Sequence, residues 1–180
     1  MAITAELWQA NLIALLSAFV AIRVLRPIAV YFGLVDVPDA RKQHQGHIPL
    51  IGGLSIYIGV LVAILAVFPI HDKLFYLLAS ASLVLMAGLV DDLRNLGVWV
   101  RVLIQTLACV IMIKGAGVYV TDLGDLFGLG SINLGTWGIP LTIMAVIGLV
   151  NAFNMSDGID GLAGSLALIA IVGVFGFEWI

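Results

Sequence analysis

Charge is scarce in this sequence. Only 11% of the 180 residues are Asp, Glu, Lys or Arg, while 62% are hydrophobic and the mean hydropathy is +1.17. A soluble domain carries about a quarter charged residues. With so little polar surface to cover its apolar side chains, the chain cannot fold in water, and the bilayer becomes its solvent. An excess of basic charge is also missing. The net charge is −3, which gives no electrostatic basis for binding nucleic acid. A lone cysteine, Cys109, sits inside an apolar run, so an internal disulfide is excluded and the residue reads as a small buried hydrophobe. No Walker-type phosphate loop, nucleophile elbow or zinc-protease helix motif occurs. A cleavable-signal pattern is absent as well, because Glu6 precedes the first apolar run and the positive charges follow it. Without internal repeats, low-complexity segments or a linker, residues 1–180 are expected to form a single transmembrane domain.

What remains is a series of apolar runs. A membrane helix needs about 20 mostly apolar residues, since only intrahelical bonding satisfies the backbone in lipid. Runs of this kind cover Leu7 to Val30, Ile48 to Ile70, Leu74 to Val90, Val98 to Val118, Trp137 to Phe153, and the stretch from Asp160 to the last residues. Between the fourth and fifth lies VYVTDLGDLFGLGSINLG, whose scattered glycines and partial alternation predict a short hairpin or surface loop. The fold expected is therefore an all-α integral membrane protein of about six transmembrane helices. Its hairpin or loop, at about 118–135, is placed on the periplasmic side.

Orientation follows from the distribution of basic residues. With the N-terminus outside, Arg23, Arg26, Arg41, Lys42, Arg94 and Arg101 fall at or near the inner face, and only Lys73 and Lys114 fall outside. By parity, the loop after the first helix, the end of the third and the junction of the fifth and sixth then all face the cytoplasm. These are the places where polar residues collect. Asp72, Asp122 and Asp125 land on the opposite side and read as solvated loop charges.

Three constellations could carry chemistry. Asp91 and Asp92 end the third apolar run as a bare pair. Adjacent carboxylates near hydrocarbon repel each other and lose hydration. A divalent cation removes that penalty, and hard oxygen ligands at a water-accessible helix end suit Mg²⁺. The bland alternative is a polar helix stop with Arg94 as counter-charge. The second constellation, NAFNMSDGIDG, repeats Asn151, Asn154, Asp157 and Asp160 at every third residue. On a helix, consecutive members of such a series share a face. Gly158 and Gly161 predict a break there that exposes backbone amides to an anionic phosphate. The alternative is a polar turn with Asp160 as N-cap. The third, RKQHQGHIPLIGG, offers Arg41 and Lys42 to a phosphate or to anionic headgroups. His44 and His47 form only half a zinc site, and the plain alternative is an inside-facing loop. Taken together, carboxylates and basic groups gather on one membrane face beside a hydrophobic body. That suits a reaction between a water-soluble anion and a lipid-borne group.

The segments VDVPDARKQHQGHIPLIGG, GLVDDLRNL and NAFNMSDGIDGLAG closely resemble the polyprenyl-phosphate N-acetylhexosamine-1-phosphate transferase family. HIPLIGG is nearer to the branch that starts O-antigen and common-antigen synthesis than to the phospho-MurNAc-pentapeptide translocases. The resemblance implies transfer of a sugar 1-phosphate, GlcNAc-1-phosphate from UDP-GlcNAc, to undecaprenyl phosphate with release of UMP. It implies Mg²⁺ as cofactor, with Mn²⁺ as a substitute, and a bacterial inner-membrane location with the active site on the cytoplasmic face. It makes Asp91 and Asp92 the metal-associated acidic pair, and Asp157 and Asp160 the second catalytic acidic motif. Asn154, Arg41, Lys42 and His44 become substrate-binding candidates. The expected partners are the UDP-sugar, the lipid acceptor and membrane lipids, and a homodimer is compatible with the family. Ser156 stands where the family pattern has a different residue. Family members continue through further helices bearing a third aspartate in an FMGDAGS-like segment and a histidine-rich loop, so the resemblance covers the N-terminal half of such an enzyme. A transporter or channel fragment would instead need acidic groups near mid-span. A truncated, non-catalytic membrane protein is the other reading.

Overall fold

A computed structural model describes residues 2–36, 48–126, 128, 130–156 and 161–177. Helix α1 spans Ala2–Tyr31 and is followed by a strand pair, β1 at Val35–Asp36 and β2 at Ile48–Pro49. Then come α2 (Gly52–Val67), α3 (Asp72–Arg94) and α4 (Val98–Ile111), which runs on into a π-helical turn at Met112–Ala116. After a loop and a 3-10 turn at Gly135–Trp137, the chain forms α5 (Gly138–Ser156) and α6 (Leu162–Phe177). All six apolar segments are helical, as an all-α membrane protein requires. The stretches Ala5–Tyr31, Asp72–Arg94, Val98–Ala116 and Gly135–Ser156 are long and apolar enough to cross a membrane, while Gly52–Val67 and Leu162–Val174 are shorter apolar helices.

Two boundaries differ from the expectation. The second apolar run, expected from Ile48 to Ile70, is helical for only 16 residues. At its front, Ile48 and Pro49 pair with Asp36 and Val35 in an antiparallel ladder, which Leu50 N–H extends by donating to Leu34 O at 3.0 Å. At its back, Pro69 forces the preceding Phe68 out of the helical region, to φ −116° and ψ 142°. The third helix, by contrast, does not stop at Asp91. It carries the acidic pair in its last turns and ends after Arg94, where Asn95 takes a left-handed conformation at φ 48°.

The chain divides into two compact units, Met1–Val118 and Tyr119–Ile180. In the first, α1 packs against α2 through small residues. Ser55, Gly59 and Ala63 are buried at four-residue spacing on α2. A Cβ at Gly59 would collide with Ala14 O and Ala18 Cβ of α1. Small residues let helix backbones approach in lipid, where apolar side chains gain nothing by leaving hydrocarbon. The same logic reverses the usual inside and outside. Ala10, Ala21, Ala63, Ala108 and Cys109 are buried, while Leu15, Phe19 and Leu103 point outward. Helix α2 is also tied to α3, because Tyr57 OH donates to Leu78 O at 3.0 Å and meets Ser82 Oγ. Helix α3 lies against α4 and its π-helical turn, where the Tyr76 ring covers the spot that a side chain at Gly115 would need.

In the second unit the loop before α5 is a hairpin, as its composition suggests. Leu123 N–H donates to Ile132 O at 3.0 Å, Ile132 N–H to Gly124 O at 3.2 Å, and Leu134 N–H to Thr121 O at 2.9 Å. Asp122 is more than a solvated charge here. Its carboxylate accepts from Gly124 N–H and from Ser131 OH, bonding that holds its pKa below the usual 3.8. A carboxyl with a lowered folded-state pKa stabilises the fold above its unfolded value, and the contribution is lost as pH falls through the folded value. Amide protection at Leu123, Ile132 and Leu134 is therefore expected to stay level down to about pH 4 and to fall below it. The pH-dependent part should vanish in Asp122→Asn. Hydrogen exchange corrected for intrinsic rates tests this, and an unchanged pH profile in the variant would refute it.

Candidate active site

The acidic pair occupies the corner between α3 and α4, and the corner is built around Asp91. Its backbone carbonyl accepts Asn95 N–H at 2.8 Å, closing the helix on the left-handed Asn95. Asparagine is among the few residues other than glycine that adopt this conformation readily, which makes it a natural helix terminator. The reversed chain brings Leu96 N–H onto Asp91 Oδ1 at 2.8 Å. Gly97 then starts α4, whose first turn carries Arg101, and Arg101 Nη1 donates to Asp91 Oδ2 at 3.2 Å. The two side chains are only 18% and 27% exposed, Asp91 and Arg101 respectively, so this is a partly desolvated pair rather than a surface one. Asp92, one residue on and about 100° around the helix, is exposed.

The counter-charge to Asp91 is thus Arg101, ten residues downstream, and not Arg94. The sequence had used Arg101 only to orient the chain. A lone arginine in the first turn of an otherwise apolar helix, just after an acidic pair, was the available signal, since intramembrane charges tend to pair.

Asn151 and Asn154 both lie on the last two turns of α5, as their spacing predicts. Asn151 Nδ2 donates to Ile147 O at 2.8 Å, Ser156 Oγ donates to Ala152 O at 2.8 Å, and Asn154 is exposed. Beyond the gap, Gly161 has φ 78°, and its carbonyl accepts Ser165 N–H at 2.9 Å as α6 begins. Asp157 and Asp160 lie outside the described residues. So do Arg41, Lys42 and His44, although the β1–β2 ladder draws together the points where their segment leaves and rejoins the described chain.

Among the described residues no group of three His, Cys, Asp or Glu side chains could enclose a metal. The pair at the end of α3 still fits Mg²⁺. That ion commonly takes one or two carboxylates and fills its other positions with water and phosphate oxygens.

Comparison with known proteins agrees with the motifs. The family model described as glycosyl transferase family 4 matches residues 74–180, a stretch that takes in the acidic pair and the asparagine-rich end of α5. The undecaprenyl-phosphate alpha-N-acetylglucosaminyl 1-phosphate transferase of Yersinia pestis is 42% identical over 139 residues, which is 76% of this chain and 37% of that protein. The protein of the same name from Escherichia coli (strain K12) is 40% identical over 136 residues, 74% of this chain and 36% of that protein. The one from Haemophilus influenzae is 38% identical over 136 residues, 75% and 38% respectively. The chain therefore spans a little over a third of the length of these relatives. No solved structure matches it. With the family's model covering more than half of its residues, the chain belongs to glycosyl transferase family 4.

Proposed function

We propose that this chain is the part of a Mg²⁺-dependent membrane transferase that carries its acidic pair. The enzyme moves GlcNAc-1-phosphate from UDP-GlcNAc to undecaprenyl phosphate and releases UMP. The observation that carries this reading is the α3–α4 corner, two carboxylates at the end of an apolar helix, in a chain about 40% identical to transferases of that name. The basic residues favour a cytoplasmic placement of that corner in the bacterial inner membrane, where the nucleotide sugar is available.

The reaction is a displacement at phosphorus. An oxygen of the lipid phosphate forms a bond to the sugar-bearing phosphorus, and the bond from that phosphorus to the UMP oxygen breaks. The lipid phosphate has a second pKa of about 6, so it is largely dianionic at neutral pH and needs positioning more than a strong base. Bound at the acidic pair, Mg²⁺ would neutralise diphosphate charge and favour departure of UMP. Asn154 at the end of α5, with Asp157 and Asp160 beyond it, would bind the nucleotide sugar. Arg41, Lys42 and His44 would attract phosphate to the membrane surface. The apolar helices leave the polyprenyl tail in lipid, so the product stays in the membrane.

The test is UMP release from UDP-GlcNAc by membranes containing the protein expressed from its complete reading frame. Release is expected only with undecaprenyl phosphate present, and it should stop when EDTA removes the cation and resume with Mg²⁺. A protein that is correctly inserted in the membrane yet releases no UMP under these conditions would refute the reading.

A further inference from the structure

Helix α1 carries two arginines on a face turned away from α2. It meets α2 through Ala14 and Ala18, which lie against Gly59, and Ala21 and Ala29 are buried on the same side. Arg23 follows Ala21 by about 200° of helical rotation, and Arg26 stands within about 60° of Arg23, one turn further on. Both are exposed. Among the described residues neither forms an ion pair with a carboxylate.

Trp8 near one end of α1 and Tyr31 at the other are exposed aromatic side chains of the kind that settle at the two membrane interfaces. Arg23 precedes Tyr31 by about 12 Å along the axis and so lies inside that belt. Its guanidinium sits over the Phe19 ring, 4.9 Å from the centroid. Phe19 is one turn nearer the middle of the helix, so the charge is drawn inward instead of reaching out to water. A cation–π contact offsets only part of the cost of a charge at this depth, and intramembrane charges pair with an anion. Pro27 adds a third feature. It has no N–H to give to the carbonyl of Arg23, four residues back, and helical carbonyls point toward the residues ahead of them, here Arg26 and Pro27.

We propose that the Arg23–Arg26 face of α1 holds the headgroup of an anionic bilayer glycerophospholipid of the phosphatidylglycerol type. The phosphate diester accepts from the two guanidiniums, and a headgroup hydroxyl donates to the Arg23 carbonyl. Arginine suits a phosphate because its fork of N–H groups reaches two oxygens at once. A phosphatidylcholine would bring a quaternary ammonium to two arginines and no donor for the carbonyl. The acyl chains would lie along the exposed Phe19 and Val20. This inference needs only that α1 spans the membrane, and it stands apart from the transferase reading.

The experiment uses the protein expressed from its complete reading frame and purified in detergent. It is titrated with phosphatidylglycerol, phosphatidylethanolamine and phosphatidylcholine of matched acyl chains, and bound lipid is counted by native mass spectrometry. Wild type is expected to bind phosphatidylglycerol about tenfold more tightly than either zwitterionic lipid. Arg23→Gln should lose about fivefold in that affinity, and Arg23→Gln combined with Arg26→Gln should lose the preference altogether. Arg94→Gln, which removes an exposed charge assigned to the same membrane side, should change it by less than about twofold. Pro27→Ala restores the missing N–H and should erase any preference for phosphatidylglycerol over phosphatidylmethanol, which has the same diester charge and no hydroxyl. If the double variant does not insert, Arg23→Gln alone carries the comparison, because Arg26 keeps the end of the helix basic. An equal loss in Arg94→Gln would reduce the effect to surface charge and overturn the site. Equal binding of the three lipids by wild type, the result if protein covers this face, would overturn it too. So would displacement of phosphatidylglycerol by equimolar undecaprenyl phosphate, which would make the face part of the acceptor site. A Pro27→Ala variant that still discriminates against phosphatidylmethanol would overturn the carbonyl contact. UMP release, followed in parallel, tests the transferase reading separately.

Discussion

Replacing Asp92 by Asn is expected to lower kcat for UMP release by about a hundredfold to a thousandfold, roughly 3–4 kcal/mol of transition-state stabilisation at 1.36 kcal/mol per decade. The side chain keeps its size and loses its charge, so the loss measures what the charge does. Phosphoryl transfer depends largely on positioning and on charge neutralisation, and a cation held at the wrong place supplies neither. The midpoint of thermal unfolding, measured alongside, separates a loss of chemistry from a loss of fold. Turnover within threefold of wild type at saturating Mg²⁺ would remove Asp92 from the reaction.

The second large effect is expected on folding. A Cβ at Gly138 would fall on the carbonyl oxygen of Val120. Neither side can retreat easily. Val120 N–H donates to Thr142 Oγ1 at 2.9 Å, and Thr142 OH donates to Gly138 O at 2.7 Å, so a relay of two bonds joins the loop to the first turn of α5. Gly138→Val should therefore cost about 3 kcal/mol, the upper range for overpacking, with the broken Val120 contact adding to the strain. Thermal unfolding in detergent reads the stability, and limited proteolysis within 119–134 reads the detachment of the loop. A variant as stable and as protease-resistant as wild type would show that the contact is relaxed in solution.

How much of this was legible from residues alone depends on which force set each feature. The six apolar segments were plain because lipid demands long apolar runs, and no packing detail can override that requirement. The shortening of α2 was written in Pro49 and Pro69, but hydropathy is blind to backbone geometry and the apolar run concealed both ends. The acidic pair at the end of α3 was visible as a pair. The partners of Asp91 were not, since they depend on the left-handed Asn95, which turns the chain so that Leu96 N–H and Arg101 reach its carboxylate. Asp122 is the exposed loop charge the sequence suggests, but its bonds to Gly124 and Ser131 were not legible, because those partners meet only once the hairpin has closed. Asn151 and Asn154 followed their period, since helical spacing is a local property that sequence displays directly.

The brevity of α2 has a mechanical consequence. Its 16 residues rise about 24 Å, against a hydrocarbon core of about 30 Å. At one end the β1–β2 ladder satisfies backbone groups that could not otherwise be left facing lipid. Where this helix crosses a bilayer, the lipid thins beside it or flanking side chains reach outward, at a cost of fractions of a kcal/mol per ångström of mismatch. The acyl-chain length of the surrounding lipid thus becomes a variable of the fold, pressing on the ladder from which the basic 37–47 segment leaves and to which it returns.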